Sequence, residues 1–275
     1  MSVDYSHYLR NDKLPLYWCP GCGNGTVLKA LIVAIDELHW DKNDIVMVSG
    51  IGCSARGSGY VDFHTLHTLH GRSVPAATAI KMCHPGMHVV LFSGDGDMVA
   101  IGGNHFIHAC RRNIDITIVL VNNWIYGMTG GQYSPTTPPG SYASTMPRGN
   151  IDSNFDVVEL ARGAGATFVA RGSVADPISL KNYIRKGLEH KGISVIDAIS
   201  NCQIQWGGRN KLGNPVALVD HIRNITVSRN NAKTLSPEEL VGKMITGIFV
   251  DDTGKKEYVQ AYYELVQEVS GKAAV

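Results

Sequence analysis

The stretch VVLFSGDGDMVAIGGNHFIHACRRNIDITIVLVNN, residues 89–123, decides the fold. It opens on the apolar run Val89-Val90-Leu91-Phe92, of strand length and ended by Ser93-Gly94. It closes on Ile116 to Val121, a run rich in β-branched residues that suit a pleated, buried surface. Residues 103–113 between them suit a helix. Continuous apolar strands alternating with helices imply a parallel sheet covered on both faces, with right-handed crossovers. The alternation runs outward in both directions. Val27, Leu28, Leu31, Ile32, Ile35 and Leu38 form a helical stripe over residues 25–38, and Ile45-Val46-Met47-Val48 follows as a strand. Downstream, Phe155 to Arg162 reads as a helix stopped by Gly163, Thr167 to Ala170 as a strand, Asp176 to His190 as a helix and Ile193 to Ile199 as a strand. The sequence therefore predicts one α/β domain, a doubly wound and mostly parallel sheet, over residues 25–202. Residues 1–24 precede it, and a C-terminal extension, residues 203–275, reads as polar loops ending in a helix near Glu257 to Val269. The stretch Gly130 to Gly149, with prolines at 135, 138, 139 and 147, is too irregular for an element and long enough to be a working loop.

Composition narrows the function. The 275 residues carry 25 basic and 24 acidic side chains, a net +1, and only 18% are charged. Such a balance gives no field for nucleic acid or for a membrane surface, so partners must be recognised locally. No apolar run approaches the roughly 20 residues a membrane span needs, and the N-terminus shows no apolar leader or cleavage site. Cytoplasmic location is the expectation. Cysteines at 19, 22, 53, 83, 110 and 202 then suggest a metal centre, because disulfides are rare in a reducing compartment.

Ser93-Gly94-Asp95-Gly96-Asp97 follows a strand and precedes a helix, the place where open α/β sheets bind ligands. A dinucleotide fingerprint would need Gly at 99, where Val99 stands, and two carboxylates would repel a bare pyrophosphate. A divalent cation between them removes the repulsion. Mg²⁺ takes one or two carboxylates plus further oxygens, and Asn122-Asn123 at the end of the next strand brings one to the same sheet edge. Cys19-Pro20-Gly21-Cys22 is a compact C-x-x-C turn; Cys53 and Cys202 each follow a predicted strand and so reach that same edge. Four thiolates suit tetrahedral zinc or a [4Fe–4S] cluster, and spacing does not choose between them. Location does: an electron acceptor has a reason to sit beside a cofactor edge, which a structural zinc lacks.

GDG followed, after 25 intervening residues, by NN is similar to the thiamine-diphosphate motif. The resemblance implies that Asp95, Asn123 and the carbonyl of Ile125 hold Mg²⁺ against the cofactor's diphosphate. The segments LPLYWCPGCGNG, SGIGCSARG, FHTLHTLHGRSVPAATAIK, SGDGDMVAIGGNHFIHACRRN and NNWIYGMTGGQYSPTTP resemble the β subunit of 2-oxoacid:ferredoxin oxidoreductases over residues 14 to about 202. By position this implies that Cys19, Cys22, Cys53 and Cys202 ligate one [4Fe–4S] cluster beside thiamine diphosphate. Ile51, Gly52, Cys53, Ser54, His70, Gly96, Asp97, Gly127 and Met128 would surround that cofactor. Cys83, Cys110, His64 and His67 are left as structural.

The implied reaction decarboxylates a 2-oxoacid on thiamine, passes two single electrons through the cluster to ferredoxin, and transfers the acyl group to coenzyme A. Activation of thiamine needs a carboxylate on its aminopyrimidine ring, and one sheet domain supplies only the diphosphate half. The resemblance places the activating Glu on a separate α subunit with the pyrimidine-binding domain, and leaves room for further small subunits. Arg56 offers a planar fork for the distal carboxylate of 2-oxoglutarate. Thr129-Gly130-Gly131 departs from relatives with Lys at the middle position. The expected substrate is 2-oxoglutarate; pyruvate, branched-chain 2-oxoacids, a non-oxidative thiamine decarboxylase half and a zinc-stabilised binding module are the alternatives.

Overall fold

A computed structural model of the chain describes residues 3–271, and its centre is an eight-stranded sheet. The strands in chain order are β1 (Ile45–Ser49), β2 (His64–His67), β3 (His88–Gly94), β4 (Thr117–Asn122), the short β5 (Ile125–Tyr126) and β6 (Gln132–Tyr133), β7 (Phe168–Ser173), β8 (Ser194–Ile199), β9 (Thr226–Ser228) and β10 (Met244–Asp251). The main sheet runs β2-β1-β3-β4-β8-β7-β10-β9, while β5 and β6 form a separate ribbon. Strands β1, β2, β3, β4, β7 and β8 are mutually parallel, and β10 lies antiparallel to β7.

Side-chain alternation splits the core into two layers. Ile45, Met47, Val90, Phe92, Val119, Val121, Ile196 and Ala198 face one side, where the helices Gly23–Glu37, Pro177–Glu189 and Pro215–Ile225 cover them. Val46, Val48, Val89, Leu91, Ile118, Leu120 and Val195 face the other, under Ser73–Cys83, Gly103–Arg112 and Val157–Gly163. Every residue of β1, β4, β7 and β8 is buried, which is why β1 and β4 read as nearly continuous apolar runs rather than alternating ones, while β7 and β8 carry Arg171 and Asp197 inside.

The sequence-predicted helices and strands up to residue 200 are present, with ends moved by a few residues. Five further elements of note were not anticipated. β2 is an exposed edge strand of sequence HTLH, with no apolar periodicity to betray it. The helix Ser73–Cys83 carries Pro75 in its first turn, where a missing N–H is tolerated. Beyond Cys202, the helix Pro215–Ile225 and strands β9 and β10 replace the expected polar loops. The segment after 202 extends the same sheet, through a β10 interrupted by Gly247 at φ +142° and an irregular register at Ile248 to Val250.

The chain leaves β1 toward β2 on one side and β3 on the other, so the strand order reverses between β1 and β3. Ligands of open α/β sheets sit at the carboxyl ends of the strands at such a switch point. A buried polar lattice pins the neighbouring strands in register. Arg171 on β7 donates from Nε to Asp197 on β8 at 2.8 Å and pairs with Asp156 at 2.6 Å; Asn122 Nδ2 on β4 donates to Asp197 at 3.0 Å. Burial pushes the Asp197 carboxyl up against the pull of Arg171, so this charge tolerates no loss of its partner. Arg171→Met should cost about 3–5 kcal/mol of unfolding free energy, read from denaturant midpoints, because it strands a buried charge. Arg171→Met/Asp197→Leu should recover most of it; equal destabilisation in both would assign the loss to packing.

Candidate functional site

The carboxyl ends of β1, β3, β4 and β8 deliver four loops to one edge. The C-x-x-C turn reaches that edge by being stapled to the loop after β8. Asn201 Nδ2 donates to the Gly21 carbonyl at 2.9 Å, and Gln203 Nε2 to the Pro20 carbonyl at 2.8 Å. Trp18 Nε1 donates to the Cys53 carbonyl at 2.6 Å, tying the N-terminal segment to the loop after β1 as well. Cys19, Cys22, Cys53 and Cys202 are thereby brought within electrostatic reach of one another. A Cβ on Gly127 would lie 3.4 Å from the Cys202 sulfur and 3.6 Å from that of Cys53, so both sulfurs border the Gly127 backbone. Burial pushes the Cys22 thiol up to about 12 and the Cys53 thiol up to about 11, so both are protonated in the bare chain. Among the described residues no group of three or more His, Cys, Asp or Glu side chains forms a site for a metal ion.

Asp95, at the end of β3, is 1% exposed. Ser134 Oγ and Thr136 Oγ1 both donate to its Oδ2, the latter at 2.5 Å. These donors favour the charged form, yet burial dominates and raises the carboxyl to about 6. Ser134 and Thr136 come from the Pro-rich loop, which is braced in turn: Thr137 Oγ1 donates to the Trp124 carbonyl and Asn150 Nδ2 to the Thr137 carbonyl at 2.8 Å. Trp124 stands between Asn123 and Ile125 with φ +64°, a left-handed conformation that costs a non-glycine residue roughly 1–2 kcal/mol. Burial and Trp206, with ring centroids 4.6 Å apart, hold it there. The kink reverses the chain just past β4. It lets Asn123 Oδ1 accept the Ile125 N–H at 3.2 Å and starts the β5–β6 ribbon over the site.

A cleft opens between these loops. Ile51, Gly52, Cys53, Ser54, His70, Asp95, Gly96, Asp97, Asn123, Ile125, Gly127 and Met128 all line it. Every residue expected around thiamine diphosphate and Mg²⁺ is thus brought together. Asp97, however, spends its carboxylate inside the protein. It accepts the Ile51 N–H at 3.1 Å, the Gly71 N–H at 2.8 Å and the Ser93 hydroxyl, and its Oδ1 lies 2.6 Å from His70 Nδ1. It clamps the loops after β1, β2 and β3 together. A Cβ on Gly50 would run into this carboxylate, which explains the glycine.

Other residues singled out in the sequence lie outside the cleft lining. Arg56 is exposed beside it, with its guanidinium carbon 5.8 Å from the Tyr17 ring and its charge acting on the Cys53 thiol. His64 and His67 are exposed on the edge strand, and Cys83 is exposed at a helix end. Cys110 is buried, its thiol pushed up to about 12. Sequence reading missed Ser134, Thr136 and Trp124. The hydroxyl pair between prolines in SPTTP was a usable signal; a left-handed tryptophan leaves none.

Raising the Asp95 carboxyl from 3.8 to about 6 has a sign that can be tested. The folded group resists ionisation, so its penalty is absent below the unfolded value, grows between the two, and is complete above about 6. That penalty is roughly 3 kcal/mol. Without divalent ions, Asp95→Asn should therefore be more stable than the natural chain at pH 7–8, the gain vanishing near pH 4, in thermal melts across pH. A variant less stable at pH 8 would show that the carboxylate is already compensated.

Comparison with known proteins places this geometry. Residues 50–198 match the family described as thiamine pyrophosphate enzyme, C-terminal TPP binding domain. The chain is 46% identical over 268 residues to the 2-oxoglutarate synthase subunit KorB of Methanothermobacter marburgensis, covering 98% of this chain and 94% of the relative. It is likewise 46% identical to the subunit of that name from Methanocaldococcus jannaschii, covering 96% and 98%. A solved 2-oxoglutarate:ferredoxin oxidoreductase from Magnetococcus marinus, with 2-oxoglutarate, coenzyme A and succinyl-CoA bound, superposes with a TM-score of 0.86 at 32% identity, over 99% of this chain and 92% of that one. A switch-point cleft in a thiamine-binding domain, shared end to end with such relatives, makes the chain a member of the 2-oxoacid:ferredoxin oxidoreductase β subunits, of the 2-oxoglutarate type.

Proposed function

We propose that the chain binds the diphosphate half of thiamine diphosphate in this cleft and, with an α subunit, carries out the coenzyme A-dependent oxidative decarboxylation of 2-oxoglutarate to succinyl-CoA and CO₂, with ferredoxin as electron acceptor. The observation that carries the reading is Cys53. It lines the cofactor cleft and also belongs to the four-thiol group, so cofactor and electron acceptor would share one residue as their boundary.

The residues fit the groups. Asp95 is a buried carboxylate with hydroxyl donors on one oxygen and no cation of the protein among the causes acting on it, the environment a divalent ion would complete. Asp95, Asn123 and the Ile125 carbonyl would hold Mg²⁺ against the diphosphate. The four thiols would hold a [4Fe–4S] cluster, whose binding would drive off the protons that burial keeps on Cys22 and Cys53. Thiamine diphosphate, when bound, supplies the electron sink for cleaving the bond to the departing carboxylate.

This chain's own contribution is positional. The Asp97 clamp keeps the Ile51–Ser54 loop against the Asp95 loop, and Gly52 and Gly127 keep the cleft wall free of side chains. Tyr126 caps the Gly96 carbonyl at 2.9 Å, and burial pushes its phenol up to about 12, so it stays neutral near the diphosphate. The acids lining the cleft are Asp95 and Asp97, and both are committed. The carboxylate that the aminopyrimidine ring needs must come from the α subunit. Among the described residues no Lys or Arg lines the cleft itself, and Arg56, whose charge acts on Cys53 at its wall, is this chain's candidate for the distal substrate carboxylate. The 2-oxoglutarate relatives support the choice of substrate.

The test is anaerobic co-purification with the α subunit, followed by viologen reduction with coenzyme A and 2-oxoglutarate, pyruvate or 2-oxoisovalerate. The fastest rate is expected with 2-oxoglutarate, from a brown preparation with four iron and four sulfide per chain, as expected of one [4Fe–4S] cluster. A faster rate with pyruvate would move the substrate and leave the mechanism; zinc in place of iron would overturn the electron-transfer reading.

A further inference from the structure

Asn24 is wholly buried, two residues past Cys22 in the first turn of the helix Gly23–Glu37. Its backbone amide acts on the Cys22 thiol in the direction that favours ionisation. Its side-chain oxygen accepts the Ser54 hydroxyl at 3.4 Å, and Ser54 follows Cys53 directly. Asn24 therefore sits between two of the four thiol-bearing segments. The other end of its amide, Nδ2, is buried without a partner. A buried donor with no acceptor costs about 1–3 kcal/mol, and such groups call for a specific explanation.

Turning the amide over does not remove the problem. It would place the nitrogen toward Ser54 and leave an oxygen lone pair, instead of an N–H, buried without a partner between the Cys22 and Cys53 segments. Sulfur carrying negative charge repels a lone pair and attracts a donor, so the drawn orientation is the one a cluster would select. Leucine of similar size would fill the same buried volume at a helix start without any polar cost, so packing alone gives no reason for an amide here.

We propose that the Asn24 side-chain amide donates a hydrogen bond to sulfur of the cluster held by Cys19, Cys22, Cys53 and Cys202, and so sets its reduction potential; the inference rests on the cluster reading above. Asn24 is a positioning and tuning residue, touching neither 2-oxoacid nor thiamine. Reduction adds one negative charge to the cluster. An N–H dipole aimed at sulfur stabilises the reduced form more than the oxidised form and raises the potential.

The test is a redox titration of the anaerobically purified holoenzyme, followed by electron paramagnetic resonance, in the natural protein and in Asn24→Leu, Asn24→Ala and Asn24→Gln. With iron and acid-labile sulfide unchanged, Leu and Ala should weaken the cluster's electron affinity about tenfold, ~59 mV more negative for a one-electron couple. Gln, which keeps an amide donor, should return toward the natural value. Should Leu prevent assembly, the Ala variant alone decides. A midpoint in the fully loaded Ala or Leu variant equal to the natural one overturns the role of Asn24. A natural holoenzyme without an iron–sulfur signal overturns the cluster reading instead, so the two failures are distinguishable.

Discussion

The architecture of this chain turns on a carboxylate placed where it is uncomfortable. Asp95 ends the central strand β3 in a position shut off from water, and no lysine or arginine is set against it. Ser134 and Thr136 orient the group and offset part of its desolvation, but they do not neutralise it. That is the difference between this carboxylate and Asp197 two strands away, which is equally buried and met by Arg171. One is finished within the fold, and the other is left to be finished by something positive. A protein that compensated Asp95 internally would gain stability and lose its hold on a cation.

The surrounding structure follows from keeping that group both buried and reachable. The Pro-rich loop supplies its hydroxyls and must be anchored, which Thr137 accomplishes by donating to the Trp124 carbonyl and Asn150 by donating to the Thr137 carbonyl. Trp124 is in turn held in a conformation that a free tryptophan would leave, and packing against Trp206 keeps it there. Trp206 lies in the turn that begins after Cys202. The loop that would carry the metal and the loop that follows Cys202 are therefore braced by the same pair of rings. Two π-helical turns, Gly96–Ile101 and Gln203–Gly207, flank these segments; such wide turns recur where a helix is bent to serve a site.

How much of this could be read from the sequence depended on which physical signal each part leaves. Strands buried on both faces leave nearly continuous apolar runs, so β1, β3, β4 and β8 were legible, and with them the edge where Asp95, Asn123, Cys53 and Cys202 meet. β2 is exposed, and β10 is half-buried and bent at Gly247; strands of that kind have no such signature. Residue type was enough to nominate Asp95 and Asn123. It could not separate Asp97 from Asp95, because the difference is where each side chain points: one meets two backbone N–H groups, a hydroxyl and an imidazole, the other two hydroxyls from a loop some forty positions away. The direction of Arg56 is of the same kind: its charge and its place after Cys53 were visible, but its position over Tyr17 was not.

A final regularity concerns where the fold leaves polar groups unsatisfied. Asn24 Nδ2, Asn122 Oδ1, Ser200 Oγ, Asn201 Oδ1 and Trp206 Nε1 are buried without a hydrogen-bond partner, as is His70 Nδ1 apart from its 2.6 Å approach to Asp97, and all six belong to segments at the carboxyl edge of the sheet. Among the described residues the two apolar layers contribute only Trp206, which lies in the turn after Cys202; the layer under Ser73–Cys83, Gly103–Arg112 and Val157–Gly163 contributes none. Random imperfection would scatter such groups through the core. Their confinement to the edge where the four thiols and Asp95 gather means that local rules are broken where the chain has work to do and obeyed elsewhere. The stability that the core supplies through continuous apolar packing is what allows this edge to carry a buried charge, a strained tryptophan and several unmet donors and acceptors at once. Each of those features costs stability; under the proposed function a cation at Asp95 would return part of it, which would make folding and loading parts of one equilibrium.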